Sequence, residues 1–125
     1  TYGLERLCMF TQQKKNVYDL CWNSENVKYR DVFHQAEKEF SIYNFELANT
    51  ENPFKIFDMT EKEAQMLIEN KVSLPAYDQC LKASHIFNIL DARGVISVAQ
   101  RAKYIGRIRD MTNGVATTWL TTQKE

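Results

Sequence analysis

Gly3, Glu5 and Arg6 fall within four consecutive positions, at the point where an apolar helical spacing (Leu4, Leu7, Cys8, Phe10) begins. A glycine at the mouth of a helix leaves the first backbone N–H groups open to a ligand. An arginine in the first turn adds a planar cation to the positive end of the helix. Together these suit a polyphosphate. Glu5 is the odd member beside an anion. Three roles are open to it: orienting Arg6, coordinating a magnesium ion that bridges phosphates, or binding an amine. Taken by itself, a Glu-Arg pair at a helix start is more often a solvated pair, so the motif gains meaning only from the rest of the chain.

Other chemistry-bearing residues are weaker candidates. His34 and His85 lie inside helical patterns and read as packed or surface histidines. His34 and Glu37, with Glu39 and Glu46 further on, have no facing second pair of ligands and read as a solvated acidic face. Cys8, Cys21 and Cys80 are odd in number and lack metal-ligand spacing; reduced thiols of a cytosolic protein are expected. Asp91 and Arg93 read as helix-end anchors in an internal ion pair. Lys103 and Arg107 share a face of the last helix, near Arg101 and Arg109. A solvated basic face is favoured there over contact with RNA or a partner subunit.

The elements that must position these groups are helical. A first helix covers about Gly3 to Gln13. Val17–Trp22 is a short strand or an apolar connector, and 23–28 is a loop. A helix from about Tyr29 to Ala48 would bury Val32, Ala36, Phe40, Tyr43 and Leu47. A third runs from Pro53 to Asn70, with a break expected near Thr60, where Thr60-x-x-Glu63 has capping-box form. Ser73 and Pro75 open a fourth helix, closed after Ala92 by Gly94. Ser97-x-x-Gln100 opens the last one, with a buried stripe of Tyr104, Ile108, Met111, Val115 and Trp119. Gly106 and Gly114 inside it imply close packing, since each costs about 1 kcal/mol relative to Ala. The chain is therefore expected to be all-α, a small bundle of four to five helices, with residues 1–28 and 29–125 as its two parts.

Composition sets outer bounds. Of 125 residues, 44% are apolar and 12% aromatic, enough for a core. Sixteen basic and sixteen acidic side chains cancel, which excludes a chain-wide basic field for nucleic acid. No apolar run approaches the roughly 20 residues of a membrane span. The chain opens at Thr1, inside the motif, so it is expected to be cut from something longer.

Gly3-Leu4-Glu5-Arg6 resembles motif 3 of class II aminoacyl-tRNA synthetases. The fuller run from Thr1 to Leu7 is similar to the alpha subunit of heterotetrameric bacterial glycyl-tRNA synthetase. So are Val17-Tyr18-Asp19-Leu20-x-Trp22-Asn23, Tyr29-x-Asp31-Val32-Phe33-His34-Gln35-x-Glu37 and Tyr43-Asn44-Phe45-Glu46. The longest resembling stretch begins at Leu74-Pro75-Ala76-Tyr77-Asp78 and continues to Arg109. The resemblance implies a glycine–tRNA ligase that forms glycyl-adenylate from glycine and ATP with Mg2+, then transfers glycine to tRNA(Gly). It implies that residues 1–28 end a class II catalytic domain of antiparallel sheet and helices. It further implies a cytoplasmic α2β2 assembly, in which the alpha subunit dimerises and the beta subunit does most of the tRNA recognition. No structural metal is expected. By this resemblance Arg6 is the catalytic residue, on the ATP phosphates; Gly3 and Glu5 join it in ATP binding, and Thr1 and Glu5 neighbour the glycine site, with Mg2+ reached only through Glu5. Motifs 1 and 2 are missing from the chain, so these 125 residues alone are expected to be inactive. The alternative is a non-catalytic helical module that docks the beta subunit or the alpha dimer.

Overall fold

The structure, a computed structural model, describes residues 3–123. It is all helical, and an isolated bridge between Cys21 and Lys28 is the one strand-like pairing among the described residues. The chain forms two compact units, Thr1–Tyr43 and Asn44–Glu125.

In the first unit, α1 spans Leu4–Thr11. It closes with Gln13 in the left-handed region at φ 51°, and the N–H groups of Gln13 and Lys14 donate to the carbonyls of Phe10 and Met9. This is the paired C-terminal closure that normally selects glycine. The segment read as strand or connector is a 3-10 turn, Val17–Asp19, followed by the bridge at Cys21. Asn16 Oδ1 caps the turn by accepting from the Tyr18 N–H at 2.9 Å. The bridge is flanked by Trp22 N–H to Val27 O at 2.7 Å and Tyr29 N–H to Leu20 O at 2.8 Å. Cys21 itself therefore turns its own N–H and C=O outward. Gln12 meets both: its carbonyl accepts from Cys21 N–H at 2.8 Å and its amide donates to Cys21 O at 3.1 Å. One side chain thus occupies the place of a third strand and ties the bridge to α1.

Helix α2, Tyr29–Ile42, starts where Asp31 accepts from the Lys28 N–H at 2.8 Å. It packs on the 3-10 turn, held by an Arg30–Asp19 ion pair and by Arg30 Nε donating to Tyr18 O at 3.2 Å. By contact, then, α2 belongs with the first compact unit. The sequence pattern had grouped it with the second part, 29–125.

The apolar stripe expected to be buried on this helix is exposed. Val32, Phe40, Tyr43 and Leu47 are 43%, 66%, 47% and 73% accessible, and Ala36 is exposed as well. The helix packs instead through Tyr29 and Phe33, whose rings lie 4.7 Å apart, with Trp22 edge-on to Phe33 at 5.3 Å. Periodicity finds an apolar face but not what covers it. A π-type turn, Tyr43–Leu47, then replaces the last α-turn and shifts Leu47 off the helical register.

The second unit is built from α3 (Glu51–Glu69), α4 (Ser73–Ala92) and α5 (Val98–Thr122). Short connections fold each helix back on the one before. Asn49 Oδ1 accepts from the N–H groups of Glu51 and Asn52 at 2.8 and 2.9 Å, so Pro53 sits harmlessly in the first turn. The core joins Phe57 and Ala64 of α3, Ala76, Cys80, Ala83 and Phe87 of α4, and Met111 and Val115 of α5. The α4 residues recur at steps of four, three and four; small side chains at three of them let the helix backbones approach closely.

Helix ends in this unit match the sequence signals. Gly94, at φ +64°, ends α4: its N–H donates to Asp91 O at 3.0 Å and that of Val95 to Leu90 O at 3.4 Å. Ser97 and Gln100 form a reciprocal capping box, with bonds of 3.2 and 2.8 Å.

Several expectations inside the unit need correction. Helix α3 runs unbroken through Thr60, which is buried with Phe57 and Ala64 on the core face rather than capping a new start. Trp119 is 42% accessible and Thr118 is buried in its place. Gly114 does allow close packing, since a Cβ there would meet Ile68 Cδ1 at 3.0 Å, whereas a Cβ on Gly106 would meet nothing within 4 Å. Asp91 and Arg93 do not pair with each other. Asp91 accepts from Arg101 at 3.1 Å, and Arg93 donates to the carbonyls of Phe45 and Glu46, satisfying acceptors that the π-type turn leaves open.

Candidate functional site

Helix α1, the Cys21 bridge and the start of α2 enclose an open cleft of about 340 Å³, wholly within the first unit. Its walls are Leu4, Cys8 and Leu20 on one side and Cys21, Trp22, Tyr29 and Phe33 on the other. Glu5 is the one carboxylate among these lining residues. The Tyr29 hydroxyl donates toward it. Desolvation first, then the charges of Glu5 and Glu37, raise the Tyr29 pKa above its ordinary value. Glu5 Oε2 also lies 3.5 Å from where a Gly3 Cβ would stand. The carboxylate therefore bridges from the helix mouth to the aromatic wall, in a first turn where negative charge is favoured.

Gly3 is the N-cap of α1, extended at φ −71°, ψ 138°, with no side-chain cap over the first turn. The open backbone N–H groups expected at this end of the helix are thus in place. Its φ is one any residue adopts, so glycine serves closeness of approach rather than conformation. Arg6 is exposed on the neighbouring face of the helix and is not among the cleft's lining residues. Among the described residues it forms no ion pair, with Glu5 or any other carboxylate, and its guanidinium is available to an external anion. Thr1 lies outside the described residues. Among those described, no group of three or more His, Cys, Asp or Glu is placed to hold a metal ion.

The remaining candidates are structural or solvated. His34 stands edge-on to the Tyr18 ring at 4.9 Å, and His85 is exposed. Arg107 leaves the basic face altogether. It donates to Glu61 at 2.9 Å and to Asp58 at 2.6 Å, and its guanidinium lies 4.5 Å from the Phe57 ring and 5.0 Å from that of Tyr104. Glu61 chiefly, with Asp58, raises its pKa further. Arg101 is likewise committed to Asp91. The patch of basic residues at 101–109 is thus reduced to Lys103 and Arg109.

Sequence reasoning missed the cleft's far wall. Trp22, Tyr29 and Phe33 were visible only as parts of separate segments. The usable signal was Tyr29 and Phe33 at a spacing of four, one helical turn apart on one face. A second apolar depression of about 270 Å³ lies in the other unit, between the start of α4 and the end of α5, with Leu74, Tyr77 and Trp119 at its rim.

No helix among the described residues is long and apolar enough to cross a membrane. Comparison with protein families finds that the model described as glycyl-tRNA synthetase alpha subunit matches residues 1–124.

Proposed function

Because the chain belongs to the glycyl-tRNA synthetase alpha-subunit family, a family of aminoacyl-tRNA ligases in protein biosynthesis, we infer that it supplies the motif 3 arm of an ATP-dependent, class II glycine-activating site. Arg6 contacts the ATP phosphates and stabilises the charge that builds as the glycine carboxylate attacks the α-phosphorus. That carboxylate is already ionised, so the step needs no general base. Gly3 admits the nucleotide close to the backbone at the open helix end. Glu5 faces the ammonium of glycine, since a carboxylate beside aromatic faces suits a small cation; Thr1 neighbours the same site. Mg2+ arrives with ATP as part of the substrate. The glycyl-adenylate then passes its glycine to tRNA(Gly).

The observation that carries this reading is the family match through Gly3-Leu4-Glu5-Arg6, joined to an Arg6 that is exposed and free of ion-pair partners among the described residues. In the same reading the chain works in the cytoplasm in an α2β2 tetramer, with the beta subunit handling most of the tRNA. The exposed rim of Leu74, Tyr77 and Trp119 favours a docking role for the second unit. The test is amino-acid-dependent exchange of pyrophosphate into ATP by the assembled synthetase. Glycine should support exchange, and alanine and serine should not. Exchange driven equally by all three, or by none, would contradict the assignment.

A further inference from the structure

We propose that Tyr29 is a positioning residue for amino-acid binding, its hydroxyl fixing the Glu5 carboxylate across the mouth of the cleft so that the second carboxylate oxygen is presented to the substrate ammonium. This rests on the glycine-activating reading above. It extends that reading to a residue 24 positions downstream of Glu5, on a different helix.

The geometry supports a fixed rather than a mobile tyrosine. Its backbone N–H is held by Leu20 O at 2.8 Å. Its ring packs against Phe33 at 4.7 Å and lies 6.2 Å from both Trp22 and Tyr18. The ring cannot swing without disturbing all three, so the hydroxyl marks a defined point on the wall. Glu5 is otherwise a flexible side chain in the first turn of a short helix. Among the described residues it has no ion-pair partner and so no other restraint on its direction. One hydrogen bond from a rigid donor orients the carboxylate and leaves its other oxygen to accept from an N–H. The lining around that oxygen is otherwise apolar or aromatic, which strengthens the attraction for a small cation.

Tyr29→Phe removes the hydroxyl and keeps the ring, so packing is retained. In the assembled synthetase it should raise the KM for glycine about tenfold, the size of a hydrogen bond to a charged group, while the KM for ATP stays within about twofold. Glu5→Gln should raise the glycine KM at least as far. Adding Tyr29→Phe to Glu5→Gln should then change little, because the two residues act as one unit. An unchanged glycine KM in Tyr29→Phe would overturn the proposal, as would single effects that simply multiply in the double variant, provided wild-type exchange with glycine is normal. If the wild-type assembly shows no glycine-dependent exchange, the parent reading fails and this inference fails with it.

Discussion

Arg107 shows how one side chain can be misread from its neighbours in sequence and reassigned by its neighbours in space. Four residues after Lys103 it looks like half of a basic patch. In the fold it is only 23% accessible, clamped by Glu61 and Asp58 and laid over two aromatic rings. Removing it strands Glu61, which is 18% accessible. Arg107→Met should lower stability by about 2 kcal/mol, a value discounted for the partly exposed setting, and chemical denaturation measures it. Lys103→Glu should leave stability unchanged. Cys80 is a second residue-scale case. Burial raises its thiol pKa, so the folded state holds the neutral form more strongly than the unfolded chain does. That contribution is complete below the ordinary thiol pKa and fades as pH climbs through the raised folded value. Thiol titration should find Cys21 reactive in the native protein, and Cys80 reactive only after unfolding or at strongly alkaline pH.

At the scale of elements, the glycines separate conformation from space. Gly106 sits in α5 with open room around it, so Gly106→Ala should stabilise by about 1 kcal/mol. Gly114 has the same propensity cost, but an added Cβ would press on Ile68 at 3.0 Å. Gly114→Ala should therefore gain clearly less than Gly106→Ala, and the difference between the two melting temperatures measures the packing cost. Gly94→Ala should lose about 1 kcal/mol, because its φ is +64°.

The elements also show where sequence was informative. Helix starts and stops at Gly94, Ser97 and Pro53 were legible because capping is local chemistry. The covered side of α2 was not, because burial depends on partners far along the chain. The apolar stripe at Val32, Phe40 and Tyr43 signalled an apolar face correctly and its burial wrongly. Thr60 failed for a related reason: a capping-box pattern inside an apolar register yields to the register. In the candidate site, Gly3, Glu5 and Arg6 could be picked out because they are contiguous. Tyr29 could not, because its relation to Glu5 exists only once the Cys21 bridge brings α2 back along α1.

For the whole molecule, the core cluster lies entirely within residues 44–125. That segment should unfold cooperatively when expressed without residues 1–43, as followed by circular dichroism on heating. A gradual, non-cooperative loss of helix would count against an independent core. The first unit carries the motif and the cleft but leaves Leu4, Phe10 and Phe40 at 75%, 84% and 66% accessible. Motifs 1 and 2 are not in these 125 residues, so the chain alone should show no glycine-dependent pyrophosphate exchange. The account as a whole turns on Arg6. In the assembled synthetase, Arg6→Ala should cut glycine-dependent exchange by about 10²- to 10³-fold, with Arg6→Lys recovering only part, since a lysine keeps the charge but not the planar fork. Exchange by Arg6→Ala within about twofold of the wild type would contradict the claim that this arginine acts on ATP.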